Sequence, residues 1–485
     1  MSFDFDSYFK KLDPLNSWTI KRLTGGLVNL TVRAMKDKYA GGENEAAGQP
    51  SSFEGHQSLI LKYAPPFVAS VGEAAPFDQI RQNVEKNALA LFSAPDGPLL
   101  SMLTETSVRV PSLVFHDEES HILVLEDLGT LPPLSDLLSI SWLSSHYPGW
   151  PSLYGSCFLE DCSLCLSTGE KFGQFLAILH AKGTLNSIKS YGCDPNFARF
   201  ENNSMREVVR DAAVSTVRRY LAQFNCEEAE KLSHVIEEDF ERQEEWDGER
   251  CFSVGDLWPG GILIENLSLQ TFRDTHGSEL PKLPKLGVID FEFSGPGRGV
   301  NGDMAQLLAH LHLYYIAWGY CGDRFKSFQA GVLSFIEGLC SSYATYSRSL
   351  GAPWQLHTAD SSTPVSLQKP FQASLPPSAS SHAAQIFRSS LLLHGREMVN
   401  NAVENDWSKY STDTRSGVTT TTDKTANDNS SGLTERMVNT GIRCLRLAGN
   451  NIESFVEADN WEQVCSSSES SIIARLFVVV GSPLA

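Results

Sequence analysis

Two short runs of branched apolar residues, Ile262-Leu263-Ile264 and Val288-Ile289, stand within a few positions of carboxylates: Asp256 before the first, Asp290 and Glu292 after the second. Runs of this kind fit the interior of a sheet, and an interior does not tolerate charge unless the charge is paired or bound. The acids must therefore sit at strand ends that face a cleft. The segments 254–264 and 288–292 are the part of the chain around which any fold has to be arranged.

The residues before them are strand-like. A period-two run from Trp18 through Arg22 breaks at Gly25-Gly26 and returns through Leu27 to Arg33, which predicts a strand, a tight turn and a second strand. The span 38–56 reads as an exposed hairpin tip, and Ser58 to Ala64 as a third strand. Apolar spacing from Phe77 to Phe92 suits a helix; Val108–Val114 and Ile122–Leu125 suit two further strands. Residues 1–16 form a short amphipathic lead-in, so 1–127 reads as a small sheet carrying one helix.

Beyond residue 127 the pattern turns helical. Candidate helices are Thr168–His180, Met205–Glu228, Leu232–Glu245, Asp303–Tyr320, Arg324–Glu337, Ala384–Val403 and Leu433–Asp459. Residues 355–382 and 409–432, rich in Ser, Thr, Pro and Gln, have compositions that do not repay the entropy of ordering and read as surface insertions. The expected fold class is α+β and bilobal, with a β-rich lobe over 1–127 and a helical lobe over 128–485.

Charge narrows the partners. With 39 Lys and Arg against 58 Asp and Glu among 485 residues, the net charge of -19 repels phosphate backbones and anionic lipid. No nucleic acid and no membrane are expected as partners. No stretch approaches 18 continuous apolar residues, the start lacks the basic and apolar regions of a secretory signal, and the ten cysteines have no zinc-site spacing. A reducing cytoplasmic setting is the simplest expectation.

Lys62 lies between apolar neighbours on the third strand, where a lone ammonium is costly unless it meets an anion, and Glu85 follows on the predicted helix. Taken singly, each is equally a snorkelling lysine and a surface glutamate. Gly25, Gly26 and Asn29 are either a plain hairpin turn or a loop whose amides approach phosphates. The order of these pieces, followed by Asp256 and Asp290, is more specific than any of them.

With Arg22-Leu23-Thr24-Gly25-Gly26-Leu27-Val28-Asn29, Leu59-Ile60-Leu61-Lys62, Val84-Glu85, Leu123 to Gly129, Gly255-Asp256-Leu257-Trp258-Pro259-Gly260 and Ile289-Asp290-Phe291-Glu292, the chain resembles the aminoglycoside phosphotransferase and choline kinase superfamily. Within it, the likeness is to the fungal small-molecule branch related to methylthioribose kinase and hydroxytryptamine kinase. The resemblance covers roughly residues 15–345. It implies a protein-kinase-like fold using ATP and Mg²⁺ to phosphorylate a hydroxyl of a small acceptor.

By that resemblance, Asp256 is the catalytic base or orienting carboxylate, and Asp290 with Glu292 the metal side. Gly25, Gly26, Asn29, Lys62 and Glu85 belong to the phosphate site, and Glu126, Asp127 and Leu128 to the hinge whose backbone reads adenine. Tyr314, Tyr315 and Trp318, with Trp258, are candidates for an aromatic acceptor wall, core packing being an equal reading. Asp303 is expected to cap a helix. Two departures stand out: Val254 replaces a loop-bracing His, and Gly261 replaces an Asn that would hold a second metal. An active kinase, a catalytically impaired nucleotide-binding scaffold and an adenylyl transferase on the same fold all remain open, as do the acceptor and the oligomeric state.

Overall fold

The structure, a computed structural model, describes residues 3–23, 26–37, 53–140, 158–191, 197–242, 249–265, 283–352, 354, 376–410 and 425–477, with side chains from 432 onward in the last segment. Ten strands occur among them: β1 Trp18–Arg22, β2 Leu30–Lys36, β3 Ser58–Tyr63, β4 Val108–Arg109, β5 Leu113–Asp117, β6 Ile122–Glu126, β7 Arg250–Ser253, β8 Ile262–Ile264, β9 Leu286–Val288 and β10 Gly295–Arg298. The N-terminal sheet has the order β1-β2-β3-β6-β5, antiparallel throughout.

Strand alternation sorts this sheet into two faces. Leu59 and Leu61 pack with Val32, Ala34, Ile122 and Val124 in a small core closed by Phe5, Phe9 and Phe53. At roughly 1.5–3 kcal/mol for each large apolar side chain buried, this core fixes the register. Ile60 and Lys62 are thereby turned to the opposite face, and Lys62 is delivered to the cleft. The lead-in is helix α1 (Phe5–Leu12), started by Asp4, whose carboxylate accepts the Ser7 N–H at 3.0 Å.

The remaining helices are α2 Arg81–Ser93, α3 Leu100–Thr106, α4 Leu134–Leu138, α5 Cys162–Leu179, α6 Lys182–Tyr191, α7 Asn203–Val209, α8 Ser215–Gln223 and α9 Ala229–Glu241. They continue with α10 Ala305–Tyr320, α11 Lys326–Ser349, α12 His382–Glu404, α13 Thr425–Leu447, α14 Ile452–Phe455, α15 Ala458–Ser466 and α16 Ser468–Phe477. A β-sheet region thus precedes a large helical region, the layout of a bilobal kinase-like fold.

Several elements differ from expectation. The first 127 residues carry three helices rather than one, because α3 is too short for its apolar period to register. The span 205–228 divides into α7 and α8 across a widened turn at Arg210–Val214. Helix α11 runs twelve residues past Glu337, to Ser349. Part of the insertion at 409–432 is ordered, since α13 begins at Thr425; residues 38–52, 355–375 and 411–424 lie outside the described residues.

Four small strands arrange the site. β7 pairs antiparallel with β10, setting Ser253 opposite Gly295, and β8 pairs antiparallel with β9, setting Ile262 opposite Val288. Segments 254–261 and 289–294 are the loops between these two ladders, so both are pinned at each end to the same partners. The Ile289 N–H donates to the Gly261 carbonyl at 2.9 Å and closes the frame.

Helices α5 and α11 cross almost backbone to backbone. A Cβ on Gly169 would fall 2.2 Å from the Phe335 carbonyl oxygen, and one on Gly173 2.3 Å from that of Leu339. Only glycine allows this approach. The crossing holds His180, at the end of α5, against Tyr343 of α11, with His180 Nδ1 2.9 Å from the Tyr343 hydroxyl.

Candidate active site

Lys62 reaches its anions. Its Nζ lies 2.8 Å from Glu85 Oε2, 2.9 Å from Asp290 Oδ1 and 3.6 Å from Glu292 Oε2. Burial alone pulls the ammonium pKa down, but the carboxylates of Asp290, Glu292 and Glu85 outweigh it and raise Lys62 well above its ordinary value. The lysine is a fixed cation. Asp290 adopts φ +65°, a left-handed conformation that Asp tolerates better than most residues and that turns its carboxylate back toward Lys62.

Asn29 is not free to meet a phosphate. Its side-chain amide donates to Glu292 Oε2 and accepts from Arg81 Nε at 3.2 Å. Arg81 is fully buried and spends its other nitrogens on the carbonyls of Phe77, Asp78 and Pro65. A chain Arg81–Asn29–Glu292 therefore joins α2, the glycine loop and the turn that carries Asp290 and Glu292. Arg81 has no sequence signal that distinguishes it from a surface arginine. Gly26 is described, while Gly25 lies outside the described residues.

At residues 126–128, where a hinge is expected, the side chains are occupied and the Glu126 N–H donates to the Ser112 carbonyl at 2.9 Å. Glu126 pairs with Arg109 at 2.6 Å, Asp127 accepts from Arg33 Nη2 at 3.0 Å and from the Gly129 N–H at 2.9 Å, and Leu128 is buried. Any contact these residues make to a base would be through main-chain groups.

The loop bearing Asp256 is shaped by neighbours on both sides. Gly255 has φ +92°, and a Cβ there would lie 2.0 Å from the Phe293 carbonyl oxygen. Asp303 does not cap a helix: its carboxylate accepts the Val254 N–H at 2.7 Å and the Gly255 N–H at 2.9 Å, and contacts His180 Nε2 at 3.1 Å. Asp303 thus braces the loop from below, while the Val254 side chain is buried in the core.

Helix α10 and the turn before it track this loop. Asp303 holds residues 254 and 255, Gln306 donates to Asp256 Oδ1 at 2.6 Å, and His310 stands with its ring centroid 6.4 Å from that of Trp258. The 3–4 spacing of these polar residues in an otherwise apolar segment is the signal that could have revealed Gln306. Burial first, then the charges of Glu397, Glu292 and Asp290, push Asp256 up to about 7, against the downward pull of the Gln306 hydrogen bond.

The aromatic candidates separate. Trp258 folds over Gly260, where a Cβ would lie 2.1 Å from the indole, so it braces the loop. Trp318 is fully buried against Phe325, Phe328 and Tyr410, and Tyr314 packs on Trp407; both are core residues, not an acceptor wall. Tyr315 lines a different cavity with His312. A cavity of ≈ 320 Å³ does open beside the loop, its lining including Gly255, Glu292, Gln306 and Arg396 together with the apolar Phe200, Met205 and Phe240.

Among the described residues no three His, Cys, Asp or Glu side chains are placed to hold a metal alone. Asp290 and Glu292 nevertheless fit Mg²⁺, an ion that commonly takes one or two carboxylates and completes its shell with water and phosphate oxygens. The cluster also sets three carboxylates against two cations, the Lys62 ammonium and the buried Arg81 guanidinium, an excess of negative charge that a divalent cation offsets. Glu265 is carried away by β8 and pairs with Lys285 at 3.4 Å, and Asn266 lies outside the described residues.

Comparison with known proteins finds kinases among those similar to the chain. The chain is 27% identical over 273 residues to the 4-hydroxytryptamine kinase of Psilocybe cyanescens, covering 56% of this chain and 62% of that one. The 4-hydroxytryptamine kinase of Psilocybe cubensis is 24% identical over 330 residues, 68% of this chain and 75% of that one. The chain is thus remotely similar to 4-hydroxytryptamine kinases. A methylthioribose kinase of Bacillus cereus adds 36% identity over 80 residues, 16% of this chain and 17% of its own length. No protein-family model matches the chain. It spans less than two thirds of the length of the Psilocybe cyanescens relative. Among its described residues no helix is long and apolar enough to cross a membrane.

Proposed function

We propose that the chain is an ATP-dependent phosphotransferase that moves a phosphoryl group to a hydroxyl of a small acceptor. The observation that carries this is the double ladder that sets Asp256 and Asp290 on facing loops, with Lys62 bonded to Asp290. Homology to small-molecule kinases favours a catalytic protein over a scaffold. Phosphoryl transfer asks a protein mainly for position and charge, which this cluster offers.

In the proposed reaction the acceptor enters the cavity beside Gln306 with its hydroxyl against the free oxygen of Asp256. A bond forms between the acceptor oxygen and the γ-phosphorus as the bond to the β-γ bridging oxygen breaks, and the hydroxyl proton passes to Asp256. Lys62, steadied by Glu85, neutralises phosphate oxygens. Asp290 and Glu292 would hold Mg²⁺, which supplies charge stabilisation to the phosphates when bound. Main-chain groups of 126–128 would receive the adenine. The apolar wall of Phe200, Met205 and Phe240 favours an acceptor with an apolar body. A reducing cytoplasmic setting is proposed with it, in keeping with eight described cysteines that are all free thiols.

The test is incubation with ATP, Mg²⁺ and a panel of hydroxylated aromatic amines, sugars and amino alcohols. An acceptor-dependent phosphorylated product and ADP are expected, both lost in Asp256→Ala. Gly261 favours a second reading, an impaired nucleotide-binding protein. Tight ATP binding without acceptor-dependent ADP across the panel would establish that reading instead.

A further inference from the structure

The second face of α10 leads away from the proposed reaction. His312, Tyr315 and Ile316 line a cavity of ≈ 610 Å³ whose other walls come from α13 (Glu435, Arg436, Asn439, Arg443) and from Ser468 and Glu469 of α16. Neither Asp256 nor any residue bonded to it takes part.

Its floor has a defined polarity. His394 Nδ1 faces the Ala305 carbonyl at 3.3 Å, and a carbonyl can only accept, so Nδ1 carries the proton. Burial pushes His394 well below its ordinary pKa, leaving the ring neutral and its Nε2 a bare acceptor. That Nε2 meets His312 Nδ1 at 3.1 Å, so His312 must donate there. Burial likewise holds His312 down to about 4 and neutral, which leaves its Nε2 a lone-pair acceptor with no partner among the described residues. His312 is 6% exposed and lines the cavity.

The walls narrow the ligand class. Among the described side chains, Arg436 and Arg443 balance Glu435 and Glu469, so the cavity has no net sign to offer an ion. Asn439, Thr440 and the unpaired Arg436 and Glu435 mix donors with acceptors, and the Tyr315 ring gives a flat apolar surface. A neutral molecule with several hydroxyls on a compact ring satisfies all of these at once.

We propose that this cavity is a second ligand site, for a neutral polyhydroxylated small molecule that donates a hydroxyl to His312 Nε2. It is separate from the phosphoryl-transfer proposal and does not rest on it. The same two histidines connect it with Ala305 at the start of α10, next to Gln306.

The experiment is titration of the full chain, labelled with ¹⁵N-histidine, with D-ribose, D-glucose and myo-inositol. At least one should give a saturable shift of the His312 Nε2 resonance. That affinity should fall at least tenfold in His312→Phe and in the surface variant Arg436→Ala, and stay within twofold in Asp256→Ala. His312→Phe alters a buried pair, so Arg436→Ala, which leaves the core untouched, keeps the test decisive. The proposal is overturned if none of the three saturates the signal, if Arg436→Ala binds as the unaltered chain does, or if Asp256→Ala abolishes binding. It is overturned equally if inorganic phosphate gives the saturable shift and the polyols do not.

Discussion

Gln306 donates to Asp256 Oδ1 at 2.6 Å, which leaves one carboxylate oxygen for an acceptor and favours the ionised form of a buried acid. Gln306→Leu removes that donor. The Asp256 pKa should then rise beyond about 7, moving the acid limb of the kcat/KM profile to higher pH. A loss of roughly tenfold at pH 7, shrinking toward pH 9, is expected. A loss equal at every pH, with an unmoved limb, would show that Gln306 only packs.

Asp256 also bears on stability, with a definite sign. Its ordinary pKa is 3.8 and in the fold it is about 7, so between those values the folded state holds a proton that the unfolded state has released. Stability contributed by this group therefore falls as pH rises from about 4 to 7 and stays low above. Asp256→Asn should melt higher than the unaltered chain at pH 8, the difference closing toward pH 4, while activity is lost. Melting curves that differ equally at both pH values would contradict this.

Removing Lys62 leaves Glu85, Asp290 and Glu292 facing one another. Lys62→Ala should cost about 3 kcal/mol or more in urea denaturation, because unpaired buried charge is expensive. Adding Glu85→Gln should recover part of the loss. If the double variant is no more stable than the single one, the three carboxylates are not sharing that cation.

The pair Asp303 and His180 supports the loop that carries Asp256, the proposed base. Asp303→Ala should lower kcat by roughly 10–100-fold through misplacement of the loop while KM for ATP changes little. Asp303→Asn, which keeps one oxygen for the Val254 or Gly255 N–H, should fall between. Equal loss in kcat and in ATP affinity would mean general collapse of the lobe.

Gly261 admits a direct trial. A Cβ there would lie 3.3 Å from the Ile289 carbonyl oxygen, so a side chain fits if that strand end yields by a few tenths of an ångström. Gly261→Asn should steepen the dependence of activity on Mg²⁺ by placing an amide oxygen near Asp290. An unchanged Mg²⁺ curve in a folded variant would show that the turn cannot use the added ligand.

Most strands of the N-terminal sheet and the lysine on the third of them were legible because each depends on local alternation or on a short run of residues. The strand expected over 108–114, by contrast, divides into β4 and β5 in different sheets, and β7 and β10 were not expected. Contacts between distant positions were less legible. Nothing near Asn29 in the chain shows that its amide is claimed by Arg81 and Glu292, 52 and 263 residues away. Asp303 before an apolar helix looks like a cap, since the N–H groups it serves belong to another loop. Tyr314, Tyr315 and Trp318 fall together in sequence, but successive helical positions diverge by about 100°, so they reach a core, a separate cavity and a core again.

The glycine crossing of α5 and α11 has a bearing on how such a protein could change its chemistry. Where two helices touch through backbone alone, no side chain can be lengthened or trimmed to adjust the spacing, and His180, Tyr343 and Asp303 inherit a fixed distance to the loop they support. The reactive end behaves as a rigid gauge. If the proposed reaction holds, variation in acceptor preference falls to cavity walls such as Phe200, Met205 and Phe240, which can be rebuilt without resetting where Asp256 stands.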